Sequence, residues 1–104
     1  MICVNEKEMC EVLEIVNKLA ANCDVYVFGS RGKGNAKQYS DLDLAFDAGE
    51  NLDFLQYCVI KEAFEESDIP YRVDVIDYHA ADEWFREIID KKKELIFKGK
   101  KLKG

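Results

Sequence analysis

Two short segments separated by ten residues limit what this chain can fold into more than any other feature. An apolar run that ends at Phe28 is followed by Gly29 and Ser30, and ten residues further on come Asp41 and Asp43. Because side chains alternate between the two faces of a strand, both aspartates project from the same face. Backbone N–H groups in a glycine turn at the start of a helix form an anion site. A phosphate site that faces two mutually repelling carboxylates is typical of metal-assisted phosphoryl or nucleotidyl transfer.

The spacing resembles the signature of the DNA polymerase beta-like nucleotidyltransferase superfamily, which is Gly-Ser, ten residues, then Asp-x-Asp. The superfamily also has a third carboxylate on a later strand, and Asp74 in segment 71–76 matches that position. The resemblance runs through nearly the whole chain and is strongest for the minimal nucleotidyltransferases. Those are small stand-alone proteins, and many of them resemble antitoxins encoded beside a helical HEPN-type partner.

The resemblance implies a catalytic set of three aspartates that bind two divalent cations, Mg²⁺ or alternatively Mn²⁺. These aspartates are Asp41, Asp43 and Asp74, whose hard carboxylate oxygens suit Mg²⁺. The plainer alternative for the first two is a solvent-facing strand edge, but aspartate is disfavoured in strands and here occurs twice at a period of two. Asp77 is the alternative third ligand, although it lies on the opposite face of its strand.

The nucleotide is predicted to bind at the turn between the first two strands. Gly29 allows a phosphate to approach the backbone, and Ser30 with the neighbouring amides would hold the terminal phosphates. Arg31 could neutralise phosphate charge, and Ser40 could contact a phosphate just before the aspartate pair. For these last two residues an ordinary exposed loop position and a supporting turn residue remain open alternatives.

Hydrophobic spacing and turn residues predict the order α-β-α-β-α-β-α. The helices are predicted over 6–21, 30–38, 52 to about 66 and from 82 onward, and the strands over 24–28, 40–46 and 71–76. The first helix should be capped by Asn5 with Glu8 and the third by Asn51. The inward residues should include Leu55, Val59, Ala63 and Phe64 on the third helix and Ile88, Ile89 and Ile96 on the last.

The expected fold is α/β (α+β), a small mixed sheet of three or four strands with helices packed on it. The first two strands should be antiparallel, because only a short link joins them. The second and third should be parallel, because the connection between them contains a helix.

Composition narrows the class of protein further. A chain of 104 residues is expected to be one domain, 1–104, and 48% hydrophobic with 35% charged residues is typical of a soluble globular protein. No apolar run approaches the ~20 residues of a membrane span, and no secretory signal is evident. The four cysteines form no C-x-x-C pair, which favours reduced thiols in a cytoplasmic protein over a zinc site.

The net charge of −6 is unevenly distributed. Residues 91–104, predicted to be a basic helix end and tail, carry +6, so the first 90 residues carry −12. An acidic body argues against direct nucleic-acid binding and against nucleotide addition to RNA or DNA. The tail from Lys98 is predicted to be a solvated terminus, with attraction of an acidic partner or RNA as the alternative.

These observations predict a magnesium-dependent nucleotidyltransferase that transfers a nucleoside monophosphate from a nucleoside triphosphate to a hydroxyl group. AMP from ATP is the favoured nucleotide, and the sequence leaves the base open. The resemblance implies that this hydroxyl lies on a HEPN-type toxin, so that the chain acts as an antitoxin. The alternative is a non-catalytic antitoxin that neutralises the same partner by occlusion.

Overall fold

The computed structural model describes residues 5–29 and 41–100, in which helices alternate with the strands of one sheet. In chain order the elements are α1 (Glu6–Leu19), β1 (Asp24–Phe28), β2 (Leu42–Asp47), α2 (Phe54–Glu65), β3 (Val73–Asp77), a 3₁₀ turn (Tyr78–Ala80), α3 (Glu83–Lys92) and β4 (Glu94–Phe97). No helix in these two ranges is long and apolar enough to cross a membrane. The helix predicted over 30–38 lies outside the described residues.

The sheet has the strand order β3-β2-β1-β4. β1 runs antiparallel to both β2 and β4, whereas β2 and β3 are parallel. The predicted mixed sheet and both predicted pairings are therefore confirmed. β3 and β4 are the two edge strands.

Helices cover both faces of the sheet. On one face, Val25 and Val27 of β1 join a large core with side chains of α1 and α2. On the other face, Phe28 of β1 packs in a smaller core with Ile89 of α3. The alternation along β1 thus divides the molecule into two cores, with α1 and α2 on one side of the sheet and α3 on the other.

The start of α1 follows the prediction from its cap. The Glu8 backbone N–H donates to the Asn5 side chain over 2.8 Å, and the Asn5 backbone N–H donates to the Glu8 carboxylate over 3.3 Å. This capping box satisfies two backbone donors that the helix itself cannot use. The helix ends at Leu19, two residues earlier than predicted.

Several predicted boundaries shift by one to three residues. β2 begins at Leu42 and β3 at Val73, each two residues later than predicted. The cap of α2 is Asp53 rather than Asn51, because the Asp53 carboxylate accepts the backbone N–H of Gln56 over 3.4 Å.

The predicted inward face of α2 is partly wrong. Ile60 and Phe64 are buried in the main core, but Leu55 is 71% exposed and Val59 49% exposed. Apolar residues lie all around this helix, so its composition did not define which side would face the sheet.

The predicted last helix is too long. α3 ends at Lys92, and Ile96 lies on β4, which pairs with the free edge of β1. The predicted solvated tail is anchored through its backbone as far as residue 100, although Lys98 and Lys100 are exposed. The Gly99 N–H donates to the buried Asp24 over 2.9 Å, and the Lys100 N–H donates to the Ala21 carbonyl over 2.8 Å.

Candidate active site

Three neighbouring strands bring one residue each to the same end of the sheet. Phe28 of β1 pairs with Asp43 of β2, and Asp43 pairs with Asp74 of β3. The apolar residues that flank both aspartates in the sequence point into the core beneath α1 and α2. Since successive side chains alternate, both carboxylates lie on the opposite face, which also carries α3.

Asp43 and Asp74 are partners in the parallel pairing of β2 with β3, which places their carboxyl groups side by side. The pKa of Asp43 is raised from 3.8 to about 6, first by burial, then by a hydrogen bond with Asp74 and by the negative charges of Asp74 and Asp41. Repulsion between neighbouring carboxylates favours the protonated form of one of them. A cation at this point would relieve the repulsion.

Arg72 is the cationic side chain that contacts the pair. Its Nε lies 2.8 Å from Oδ1 of Asp74, although the side chain is 74% exposed, and its charge partly offsets the rise in the pKa of Asp43. Arg72 was not predicted as a site residue. The signal was available, because a residue two positions before Asp74 lies on the same face of the strand predicted over 71–76.

Gly29 closes the site from the end of β1. Its φ of +87° is in the left-handed region, and a Cβ at this position would overlap the carboxylate of Asp43. Glycine was predicted here because it would allow a ligand to approach the backbone. The structure gives a second reason, since both the backbone conformation and the contact with Asp43 exclude a side chain.

An apolar surface adjoins the carboxylate pair on the same face of the sheet. Phe28, which neighbours Asp43 across the strands, packs edge-on against Phe85 of α3 with ring centroids 5.9 Å apart. Apolar neighbours displace water from a carboxylate and disfavour its charged form. Burial is the first cause of the raised pKa of Asp43, and Phe28 is an apolar neighbour of this residue across the strands.

The remaining predicted site residues divide into two groups. Asp41 is exposed and directly precedes β2. Ser30, Arg31 and Ser40 lie outside the described residues. The structure therefore brings together Gly29, Asp43 and Asp74, with Asp41 close enough to influence the pKa of Asp43.

Asp77, the alternative third ligand, and the single histidine of the chain, His79, lie away from this pair. Asp77 lies on the opposite face, where its carboxylate accepts the Leu52 backbone N–H over 2.9 Å. His79 contacts Asp47 at the far end of β2, with 2.6 Å between Nε2 and Oδ1. Asp77 is thus engaged in anchoring the segment before α2, and His79 occupies a structural position.

The chemistry of the pair fits a divalent cation. Within residues 5–29 and 41–100 no group of three or more metal-binding side chains is assembled. The carboxylates of Asp43 and Asp74 nevertheless supply neighbouring hard oxygen donors, and burial, followed by the interactions with Asp74, raises the pKa of Asp43. Mg²⁺ is bound in proteins through one or two such carboxylates, with water and substrate phosphates completing its shell.

Comparison with known proteins identifies the family. Residues 5–102 match the family described as polymerase beta, nucleotidyltransferase, and the chain belongs to this family. Over 88 residues it is 50% identical to the probable protein adenylyltransferase MntA of Haemophilus influenzae, an alignment that covers 85% of this chain and 77% of that protein.

Solved structures share the fold. A crystal structure of a toxin-antitoxin with AMP-PNP superposes with a TM-score of 0.70 at 19% identity, over 84% of this chain and 70% of that one. A crystal structure of the toxin-antitoxin MntA-HepT gives a TM-score of 0.63 at 17% identity, over 88% of this chain and 70% of that one. At these identities the similarity establishes the nucleotidyltransferase fold alone.

Proposed function

We propose that this chain transfers AMP from ATP to a hydroxyl group on a helical HEPN-type toxin, and so acts as its antitoxin. The family makes it a nucleotidyltransferase, and the 50% identical relative carries the name protein adenylyltransferase. The fold is shared with antitoxins that were crystallised with their toxins, one of them with an ATP analogue. A reaction that consumes ATP would take place in the cytoplasm, where ATP is abundant.

The observation that carries this proposal is the contact between Asp43 and Asp74. Two carboxylates on adjacent parallel strands repel each other, and this repulsion destabilises the folded protein unless a cation binds between them. We propose that Asp41, Asp43 and Asp74 hold two Mg²⁺ ions, with Mn²⁺ as a substitute. Bound there, the ions would neutralise the triphosphate and lower the pKa of the attacking hydroxyl.

The turn after β1 is proposed to hold the triphosphate. Gly29 lets the Asp43 carboxylate lie directly against the backbone of this turn, since a Cβ at position 29 would overlap it. Ser30, the following amides and Arg31 would bind the terminal phosphates, and Ser40, just before Asp41 in the sequence, would add a further phosphate contact. The acceptor hydroxyl then attacks the α-phosphorus, the bond to pyrophosphate breaks, and the hydroxyl proton is released.

The acceptor must be positioned by another molecule. Positioning of the nucleophile supplies much of the rate in this type of transfer, so small hydroxyl compounds should be poor acceptors. A partner protein that docks beside Asp74 would supply this positioning. The −12 charge of the first 90 residues favours a partner with a basic contact surface.

The test is to incubate the purified chain with labelled ATP, Mg²⁺ and the protein encoded by the neighbouring gene, and to locate added AMP by mass spectrometry. We expect modification by the wild-type protein and none by Asp74→Ala. Glu50→Gln, a charge-neutralising change in the exposed loop after β2, is the control and should transfer normally. If both the wild type and Asp74→Ala silence the partner without adding mass, the protein acts by occlusion instead.

A further inference from the structure

β3 is an edge strand whose second edge is open. It pairs with β2 alone in the described sheet, and the Leu42 N–H donates to the Arg72 carbonyl over 2.9 Å at the start of this pairing. In a parallel ladder, alternate residues of a strand direct their N–H and C=O groups toward the same neighbour. With Leu42 opposite Val73, the inward residues are Arg72, Asp74 and Ile76, and the outward ones are Val73, Val75 and Asp77.

A groove follows this open edge. A cavity of about 530 Å³ lies between α2 and β3 and begins at Arg72 and Asp74. A second cavity of about 360 Å³ shares the lining residues Tyr57, Val75 and Ile76 with the first and continues to the other end of β3. The groove therefore runs along the strand and opens on the proposed catalytic aspartate.

The charges around the groove favour a basic occupant. Of the residues that line it, Glu65 and Asp77 are acidic, and Lys61 is basic, while Arg72 already contacts Asp74. One carboxylate oxygen of Asp77 is buried without a hydrogen-bond partner in the described part of the chain. Together with the net negative charge of the first 90 residues, these side chains give the groove more negative than positive charge.

We propose that an extended, basic segment of the acceptor protein adds to the open edge of β3 as a fifth strand and thereby carries its hydroxyl group to Asp74. An extended segment has free backbone groups that can pair with β3, whereas those of a helix are already used within the helix. Alternate side chains of the segment would enter the groove beside α2. This inference rests on the proposed function in one respect, namely that the acceptor is a protein.

Amide hydrogen exchange, followed residue by residue by NMR with and without the partner protein encoded beside the gene, tests the docking directly. In the free protein the Val73, Val75 and Asp77 amides face the open edge and should exchange faster than those of Asp74 and Ile76. Binding of a strand should slow the three outward amides by roughly tenfold or more and leave the two inward ones nearly unchanged. Uniform slowing of all five, or no change, would overturn the proposal.

Matched variants on α2 link the docking to the reaction. Glu65→Trp places a large side chain in the groove, whereas Glu62→Trp makes the same substitution at an exposed position that does not line either cavity. We expect Glu65→Trp to slow AMP transfer to the partner about tenfold or more at unchanged ATP affinity, and Glu62→Trp to stay near wild type. Equal rates for the two variants would overturn the proposal.

The two experiments separate this inference from the function on which it rests. If the outward amides are protected but no AMP is added, the docking holds and the proposed reaction fails. If AMP is added while these amides exchange as in the free protein, the reaction holds and strand addition at β3 is refuted.

Discussion

Replacing Asp43 by asparagine should stabilise the metal-free protein at neutral pH while destroying the proposed site. The asparagine amide can still donate a hydrogen bond to Asp74 but carries no charge to be repelled. In the wild type the pKa of Asp43 is raised from 3.8 to about 6. Between these two pH values Asp43 is therefore protonated in the folded state and ionised in the unfolded state. Stability contributed by the protonated form is therefore lost as the pH rises from about 4 to about 6.

The size of the effect follows from the pKa. A rise of about two pKa units corresponds to roughly 3 kcal/mol at full burial, because each unit is worth about 1.4 kcal/mol. Asp43 is only partly buried, so solvent screening reduces the value to roughly 1–2 kcal/mol. We expect Asp43→Asn to be more stable than the wild type by this amount at pH 7–8 and nearly equal to it near pH 4.

The assay is urea unfolding with a chelator present at several pH values between 4 and 8. Glu50→Gln removes a carboxylate from an exposed loop and should show no comparable pH dependence. Repeating the series with Mg²⁺ should stabilise the wild type and leave Asp43→Asn almost unchanged, because only a protein that binds the ion gains from it. A variant that is less stable than the wild type at pH 8, or a difference that does not vary with pH, would refute the argument.

Two further substitutions test the neighbours of Asp43. Gly29→Ala should destabilise the protein by at least roughly 1–2 kcal/mol, the cost of a left-handed backbone at a residue with a side chain, and urea unfolding measures this loss. It should also displace the Asp43 carboxylate, which a shift of the Asp43 NMR resonance reports. Arg72→Ala removes the positive charge beside Asp74, so the pKa of Asp43 should rise above about 6 in an NMR titration of the carboxyl groups. A pKa that stays the same or falls would contradict the assigned role of Arg72.

Short-range patterns in the sequence predicted the faces of β2 and β3, the start of α1 and the mixed sheet. The alternation of polar and apolar residues around Asp43 and Asp74 fixed the face on which each carboxylate lies, because the period of a strand is two. The pairing of Asn5 with Glu8 fixed the start of α1, since a capping box involves only residues three positions apart. The mixed sheet was predictable from the lengths of the links between strands.

Helical spacing was less reliable where a segment could satisfy more than one pattern. Ile96 follows Ile89 by seven residues, a spacing that suits a continued helix, yet it lies on β4. That strand forms because β1 has a free edge to pair with, and no local pattern records a partner about 70 residues away. Similarly, α2 is apolar on several sides, so only packing decided that Ile60 and Phe64 face the core and Leu55 does not.

The sequence by itself thus predicted the candidate site residues Gly29, Asp41 and Asp43, because their spacing is a local property of the chain. Only the tertiary structure decided how they meet. The parallel register of β2 with β3 places Asp74 directly beside Asp43 and brings Arg72 with it. The strand order leaves the second edge of β3 without a neighbour in the described sheet. Strand pairing joins residues that are distant in the chain, so these contacts depend on the whole fold.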